Sequence, residues 1–120
     1  MKALVVDDEK NIQELIKILL EEYGIESDVA STFKESLEYI NKNYYDLALL
    51  DLRLPDGSGI ELVDKLLEIN PRLDIIFSSG YQKETCDTDT LIHKKRFDYI
   101  SKPYPIITLL KAIRKTLDNK

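Results

Sequence analysis

Two adjacent carboxylates, Asp7 and Asp8, end the apolar run that starts at Ala3, and a third, Asp51, ends the run that starts at Leu47. Ser78 and Ser79 end another apolar stretch, and Ser101 with Lys102 a further one. Were the three acids to meet, each pair at ~4 Å would repel by about 4 kcal/mol at an effective dielectric near 20. Lys102 alone would leave two negative charges uncompensated, so such a cluster needs a cation or must hold protons. A hard divalent ion with oxygen ligands, Mg2+ above all, resolves the conflict. The plainer alternative is that each acid caps the helix that follows it. For Asp8, just before Asn11, that is reasonable because Asp is a good N-cap. For Asp51 it is weak, since the loop through Gly59 separates it from the next helix.

The elements that must bring these residues together are legible in the hydrophobic pattern. Runs with β-branched residues alternate with segments of helical period. Lys2 to Asp7 reads as a strand buried on both faces. Ile12, Leu15, Ile16, Leu19 and Leu20 then form one helical stripe, and Gly24 stands where a C-terminal cap belongs. Ser27 to Ala30 is a short second strand; Thr32 with Glu35 is a capping box for a helix whose inner face is Phe33, Leu37 and Ile40. Asp46 to Asp51 is a third strand, followed by the loop Leu52 to Gly59 and a helix through Glu68 that Pro71 bars from continuing. Leu73 to Ser79 and Phe97 to Ser101 are the fourth and fifth strands. The polar stretch Gly80 to Arg96 between them is expected to hold a helix with Leu91 and Ile92 inward. In the last helix Ile106, Leu109, Leu110, Ile113 and Leu117 share one face. Strands alternating with helices imply a mostly parallel sheet with helices on both faces and right-handed crossovers. Ligands of such sheets bind outside the carboxyl ends of the strands, where the acids, serines and lysine are expected.

Composition narrows the classes. With 120 residues, 43% of them hydrophobic and 32% charged, the chain suits one globular domain. No apolar run approaches the roughly 20 residues that span a bilayer, and the start lacks the features of a secretion signal, so the expected location is the cytoplasm, with no membrane partner. The net charge of −5 argues against nucleic-acid binding by this domain alone. Cys86 is the one cysteine and reads as an inert thiol; His93 is the one histidine, which excludes a His-rich metal site and leaves no choice of base for a Ser/His/Asp triad. The basic stretch His93 to Phe97 reads as a solvated helix end. Four glycines, with no GxGxxG or GxxxxGK[ST] after the first strand, leave a nucleotide-binding domain without its phosphate cradle.

VVDDE (Val5 to Glu9), LLDLRLPDGSG (Leu49 to Gly59), IIFSSGY (Ile75 to Tyr81) and YISKPY (Tyr99 to Tyr104) together resemble the receiver domain of two-component response regulators. The resemblance runs in order over essentially the whole chain. It implies a single flavodoxin-like α/β domain over residues 1–120, a doubly wound (βα)5 sandwich with five parallel strands in the order 2-1-3-4-5. It further implies that Asp51 accepts a phosphoryl group, in a Mg2+-dependent reaction, from a phosphohistidine on a sensor histidine kinase or a histidine phosphotransfer protein. Matching positions make Asp8, Asp51 and the backbone carbonyl of Arg53 direct Mg2+ ligands, with Asp7 acting mainly through water. Ser79 matches the switch hydroxyl, Tyr99 the switch aromatic, and Lys102 the lysine that faces the phosphoryl group, aimed by a cis bond to Pro103. Phosphorylation is then expected to remodel the face of the fourth helix, fifth strand and fifth helix, which would bind a downstream target protein or effector domain. Such a domain is not an enzyme in the usual sense, although it promotes its own phosphorylation and dephosphorylation. The alternative from the enzyme class is a Mg2+-dependent phosphatase using Asp51 as nucleophile on small phosphoesters. Lys95, Arg96 and Phe97 stand where receivers commonly carry a Gly-Ala pair, so the fourth helix is expected to be short or shifted. The spacing of 23 from Ser79 to Lys102 is about one residue long, which makes Ser78 the second candidate for the switch hydroxyl.

Overall fold

The computed structural model describes residues 1–79, 97–101 and 106–118, with only the backbone of residues 79, 97–99 and 101. The helix expected within Gly80 to Arg96, Cys86, His93 and its basic neighbours, and Lys102 with Pro103 lie outside the described residues.

The apolar runs become β1 (Lys2–Val6), β2 (Glu26–Ala30), β3 (Leu47–Asp51), β4 (Asp74–Ser79) and β5 (Phe97–Ser101); the periodic segments become α1 (Lys10–Glu22), α2 (Phe33–Lys42), α3 (Ile60–Ile69) and α4 (Ile106–Asp118). The sheet is parallel. β2, β1, β3 and β4 stand side by side in that order, and the β5 backbone pairs with β4. This is the α/β architecture that the alternating pattern implied.

Alternation along the strands divides the interior in two. Leu4, Val6, Ala48, Leu50, Ile75 and Phe77 pack with Ile40 of α2 and Leu62, Val63 and Leu66 of α3. Ala3, Val5, Leu47, Leu49, Ile76 and Ile100 pack with Ile16, Leu19 and Leu20 of α1 and Leu109, Ala112 and Ile113 of α4. Because both faces are covered, β1 and β3 are apolar at successive positions. Ile106, expected on the inner face of the last helix, is half exposed together with Ile107. No helix among the described residues is long and apolar enough to cross a membrane.

The helix ends follow local chemistry. Gly24 has φ +73; its N–H donates to Glu21 O at 3.0 Å, and that of Ile25 donates to Leu20 O at 2.9 Å. These are the two bonds of a Schellman motif. An L-residue with a Cβ pays roughly 1–2 kcal/mol in that conformation, so Gly24→Ala should lower the melting temperature by about 4 °C or more, read by circular dichroism. Thr32 caps α2 as expected, its Oγ1 accepting from Glu35 N at 3.1 Å. The return bond of the box is displaced by one residue, because Glu35 Oε1 accepts from Ser31 N at 2.9 Å. At the amino edge of the sheet, Lys2 N donates to Asp46 Oδ2 at 3.0 Å and Tyr45 Oη to Asp28 Oδ2 at 2.7 Å. Burial and the Asp28 carboxylate push the Tyr45 phenol up, keeping it protonated. That polar edge is opposite the carboxyl ends of the strands.

Candidate functional site

Strand register decides which acids meet. Val6 pairs with Leu50 across β1 and β3, so one step onward Asp7 and Asp51 leave the sheet side by side. Asp7 stays in line because its N–H donates to Ala30 O at 3.1 Å. Oxygens of Asp7, Asp8 and Asp51 all lie within 4.8 Å of one another. Asp7 is 2% exposed and Asp51 5%, while Asp8 faces solvent. Withdrawing carboxylates from water costs several kcal/mol each unless something compensates them.

The capping alternative fails for Asp8. Helix α1 begins at Lys10 with Glu9 as its N-cap residue, whose side chain makes no capping bond. Asp7 Oδ1 instead accepts from Glu9 N at 2.9 Å, which turns the chain so that Asp8 stands beside its neighbour. Octahedral coordination at roughly 2.1 Å places opposite oxygens about 4.2 Å apart. Three carboxylate oxygens within 4.8 Å therefore need only small side-chain rotations to share one ion, and an all-oxygen donor set suits Mg2+.

The loop after Asp51 is shaped around it. Arg53 N donates to Asp51 Oδ1 at 3.0 Å, and Leu52 N donates to Ser78 O at 2.9 Å. A Cβ on Gly59 would lie 2.3 Å from the Asp51 carbonyl oxygen; the backbone passes so close that only glycine fits. Leu54 and Gly57 pair with each other as an isolated antiparallel bridge, and this projects Asp56 from the turn. Asp56 Oδ1 accepts from Phe33 N at 2.7 Å and Oδ2 from Lys34 N at 3.1 Å. Those two backbone donors, Phe33 first, hold the Asp56 carboxyl below its ordinary range.

The structure thus brings Asp7, Asp8 and Asp51 together, with Arg53 two residues beyond. Ser78 pairs with Asp51 in the β3–β4 register. With Asp7, Leu49 and Ile100 it lines a cavity of about 10 Å3, room for roughly one water. Ser79 ends β4 opposite Ser101, and Tyr99 lies in β5 opposite Phe77; their side chains, like all of Lys102, lie outside the described residues. Two contributors escaped the reading of the sequence. One is Gln13, whose Nε2 donates to Asp7 O and, at 2.9 Å, to Ser31 Oγ, tying β1 to the loop after β2. The other is Asp56. A Gln on a helix and an Asp-Gly in a turn are too common to signal such roles.

Residues 3–114 match the response regulator receiver domain family. The chain is 39% identical over 114 residues to the transcriptional regulatory protein DltR of Streptococcus agalactiae, covering 95% of this chain and 50% of that one. It is 34% identical over 119 residues to the response regulator protein PilR of Pseudomonas aeruginosa, covering 97% and 26%. It spans about half or less of the length of these relatives. Among solved structures, a CheY-like receiver domain protein from Methanospirillum hungatei superposes with a TM-score of 0.82 at 34% identity, covering 98% of this chain and 94% of the other. The response regulator TrrA from Thermotoga maritima, solved in complex with Mg2+-BeF, superposes with a TM-score of 0.77 at 30% identity, covering 96% and 97%. With a family match from Ala3 to Arg114 and the acids gathered at the carboxyl edge of the sheet, this chain belongs to the response regulator receiver domain family.

Proposed function

We propose that this domain receives a phosphoryl group on Asp51 from a phosphohistidine of a sensor histidine kinase or histidine phosphotransfer protein. The observation that carries this reading is the convergence of Asp7, Asp8 and Asp51 within 4.8 Å in a chain of the receiver family. Asp8, Asp51 and the Arg53 carbonyl would hold Mg2+, with Asp7 acting through water; the Mg2+-BeF complex of TrrA supports the same choice of metal here. When bound, the ion would supply positive charge for the phosphoryl oxygens. An Asp51 carboxylate oxygen forms the new O–P bond, the P–N bond to the donor imidazole breaks, and the nitrogen keeps the bonding pair. The protein's part is positioning and charge neutralisation. Arg53 N–H orients Asp51, Lys102 faces the phosphoryl oxygens, and Ser79 donates a hydrogen bond to one of them.

The signal leaves by a change of packing. Ser79 moves toward the phosphoryl group and Tyr99 turns inward, remodelling the face made by a helix within residues 80–96, β5 and α4. The face engages a target protein or an effector domain in the cytoplasm, without contact of this domain with nucleic acid or membrane. The phosphatase alternative gains nothing from the family match or from the named relatives, which are regulators.

Incubation with acetyl phosphate and Mg2+, followed by intact mass, tests this reading. One phosphoryl adduct is expected with Mg2+ present and none when EDTA removes it. No adduct under either condition would exclude the assignment.

A further inference from the structure

The four first N–H groups of a helix have no partner within it. In α2 the first helical bond runs from the N–H of Ser36 to Thr32 O, which leaves the N–H groups of Thr32, Phe33, Lys34 and Glu35 outside the ladder, and Thr32 Oγ1 takes that of Glu35. Those of Phe33 and Lys34 go to a single carboxylate 23 and 22 residues away, Asp56. Asp56 is exposed, and solvent satisfies such donors as readily, so the helix has no need of this particular partner. What the contact changes is the loop. An otherwise solvated turn is tied at its tip to α2, where the positive end of the helix dipole favours an anion. Gly57 seals the same contact, since a Cβ there would lie 2.9 Å from Phe33 Cγ.

The loop is therefore held at both ends. At one, Gly59 is pressed against the Asp51 carbonyl, and its N–H lies 3.4 Å from Leu52 O. At the other, Asp56 and Gly57 are fastened to the first turn of α2. Arg53 lies on the stretch that runs from Asp51 to Asp56, with its N–H on Asp51 Oδ1. We propose that Asp56 is a positioning residue that clamps the loop carrying Arg53 onto α2, so that Arg53 presents its N–H to Asp51 and its carbonyl to the bound cation. This inference rests on the receiver function proposed above. Coupling through a shared clamp is reciprocal. Cation binding at the acids therefore protects the Phe33 and Lys34 amides, and loss of the clamp weakens cation binding.

Three variants test it: Asp56→Ala, Asp56→Asn, which keeps one acceptor oxygen, and Thr32→Ala, which strips a cap from the same helix without releasing the loop. Mg2+ affinity is read by calorimetry, the phosphorylation rate with acetyl phosphate by intact mass, and amide exchange at Phe33 and Lys34 with and without Mg2+. Partners that orient metal ligands typically contribute 10–100-fold, so Asp56→Ala is expected to weaken Mg2+ binding and slow phosphorylation about tenfold. Asp56→Asn should fall between it and the wild type. Thr32→Ala should lower the melting temperature while leaving affinity and rate near wild type. Wild-type affinity and rate in Asp56→Ala, or equal losses in Thr32→Ala, would overturn the clamp while leaving the receiver function standing. A wild-type chain that neither binds Mg2+ nor takes a phosphoryl group would remove both. Amide exchange in metal-free buffer reads the clamp by itself, and unchanged protection of Phe33 and Lys34 in Asp56→Ala would also overturn it.

Discussion

Asp51→Asn should take up no phosphoryl group from acetyl phosphate under conditions in which the wild type gains the mass of one. The substitution is nearly isosteric, and the amide oxygen can still accept the Arg53 N–H that now rests on Asp51 Oδ1 at 3.0 Å. The fold around the site should survive, while the negative oxygen that attacks phosphorus and one ligand charge are gone. The stability signature has two opposite parts. In EDTA, removing one of three carboxylates that lie within 4.8 Å relieves like-charge repulsion. The variant should then be as stable as the wild type, or more so by on the order of 1 kcal/mol. In Mg2+ the order reverses, because a ligand that binds only the folded state stabilises it by about 2.7 kcal/mol at a hundred times its dissociation constant. The wild type gains that increment and the variant gains less. Thermal melts in the two buffers, with intact mass after acetyl phosphate, check all three expectations. Equal Mg2+ stabilisation of both proteins would remove Asp51 from the set of ligands. An undiminished adduct on the variant would move the acceptor elsewhere.

Gly59→Ala should be the most damaging of the glycine substitutions near the site. The backbone of Gly59 has φ −59, a value any residue adopts, so the requirement for glycine is one of space. A Cβ there would stand 2.3 Å from the Asp51 carbonyl oxygen, 3.1 Å from its carbonyl carbon and 3.2 Å from Leu50 Cβ. The first two are backbone atoms of the residue that carries the chemistry, and no rotamer change moves them aside. Overpacking of this kind costs roughly 1–3 kcal/mol. The strain falls on Asp51, and a displacement near 1 Å can cost about a hundredfold in rate, so phosphorylation should suffer beyond what the stability loss explains. Gly57→Ala is the useful comparison. Its added methyl meets the Phe33 ring at 2.9 Å, a side chain that can shift, so its effect should be smaller on both counts. Urea titration and the initial rate of adduct formation distinguish the two variants. Wild-type stability and rate in Gly59→Ala would show that the loop can open without disturbing Asp51.

Much of this arrangement is written in local pattern. Four apolar stretches, each interrupted by an acid or a serine at its carboxyl end, are enough to place Asp7, Asp8, Asp51 and Ser78 on one edge of a parallel sheet, because crossover handedness and strand direction leave little alternative. Helix ends with a single local cause were legible too, as Gly24 and Thr32 illustrate. The partner of Glu35 was misplaced by one residue, since a side chain with three rotatable bonds reaches either of two neighbouring N–H groups.

What the chain alone determined is therefore the chemistry at each strand end and the order of strands and helices, because hydrophobic period and turn residues act over a few neighbours. Which of those ends come within reach of one ion was decided by the tertiary structure, through the β1–β3 register that sets Val6 opposite Leu50. The same holds for Asp56 on Phe33 and Lys34, Gln13 on Asp7 and Ser31, and Gly59 against Asp51. The first two join residues from separate elements, and the third spans an eight-residue loop. Their energies depend on close packing in three dimensions, and no periodicity along the chain encodes them.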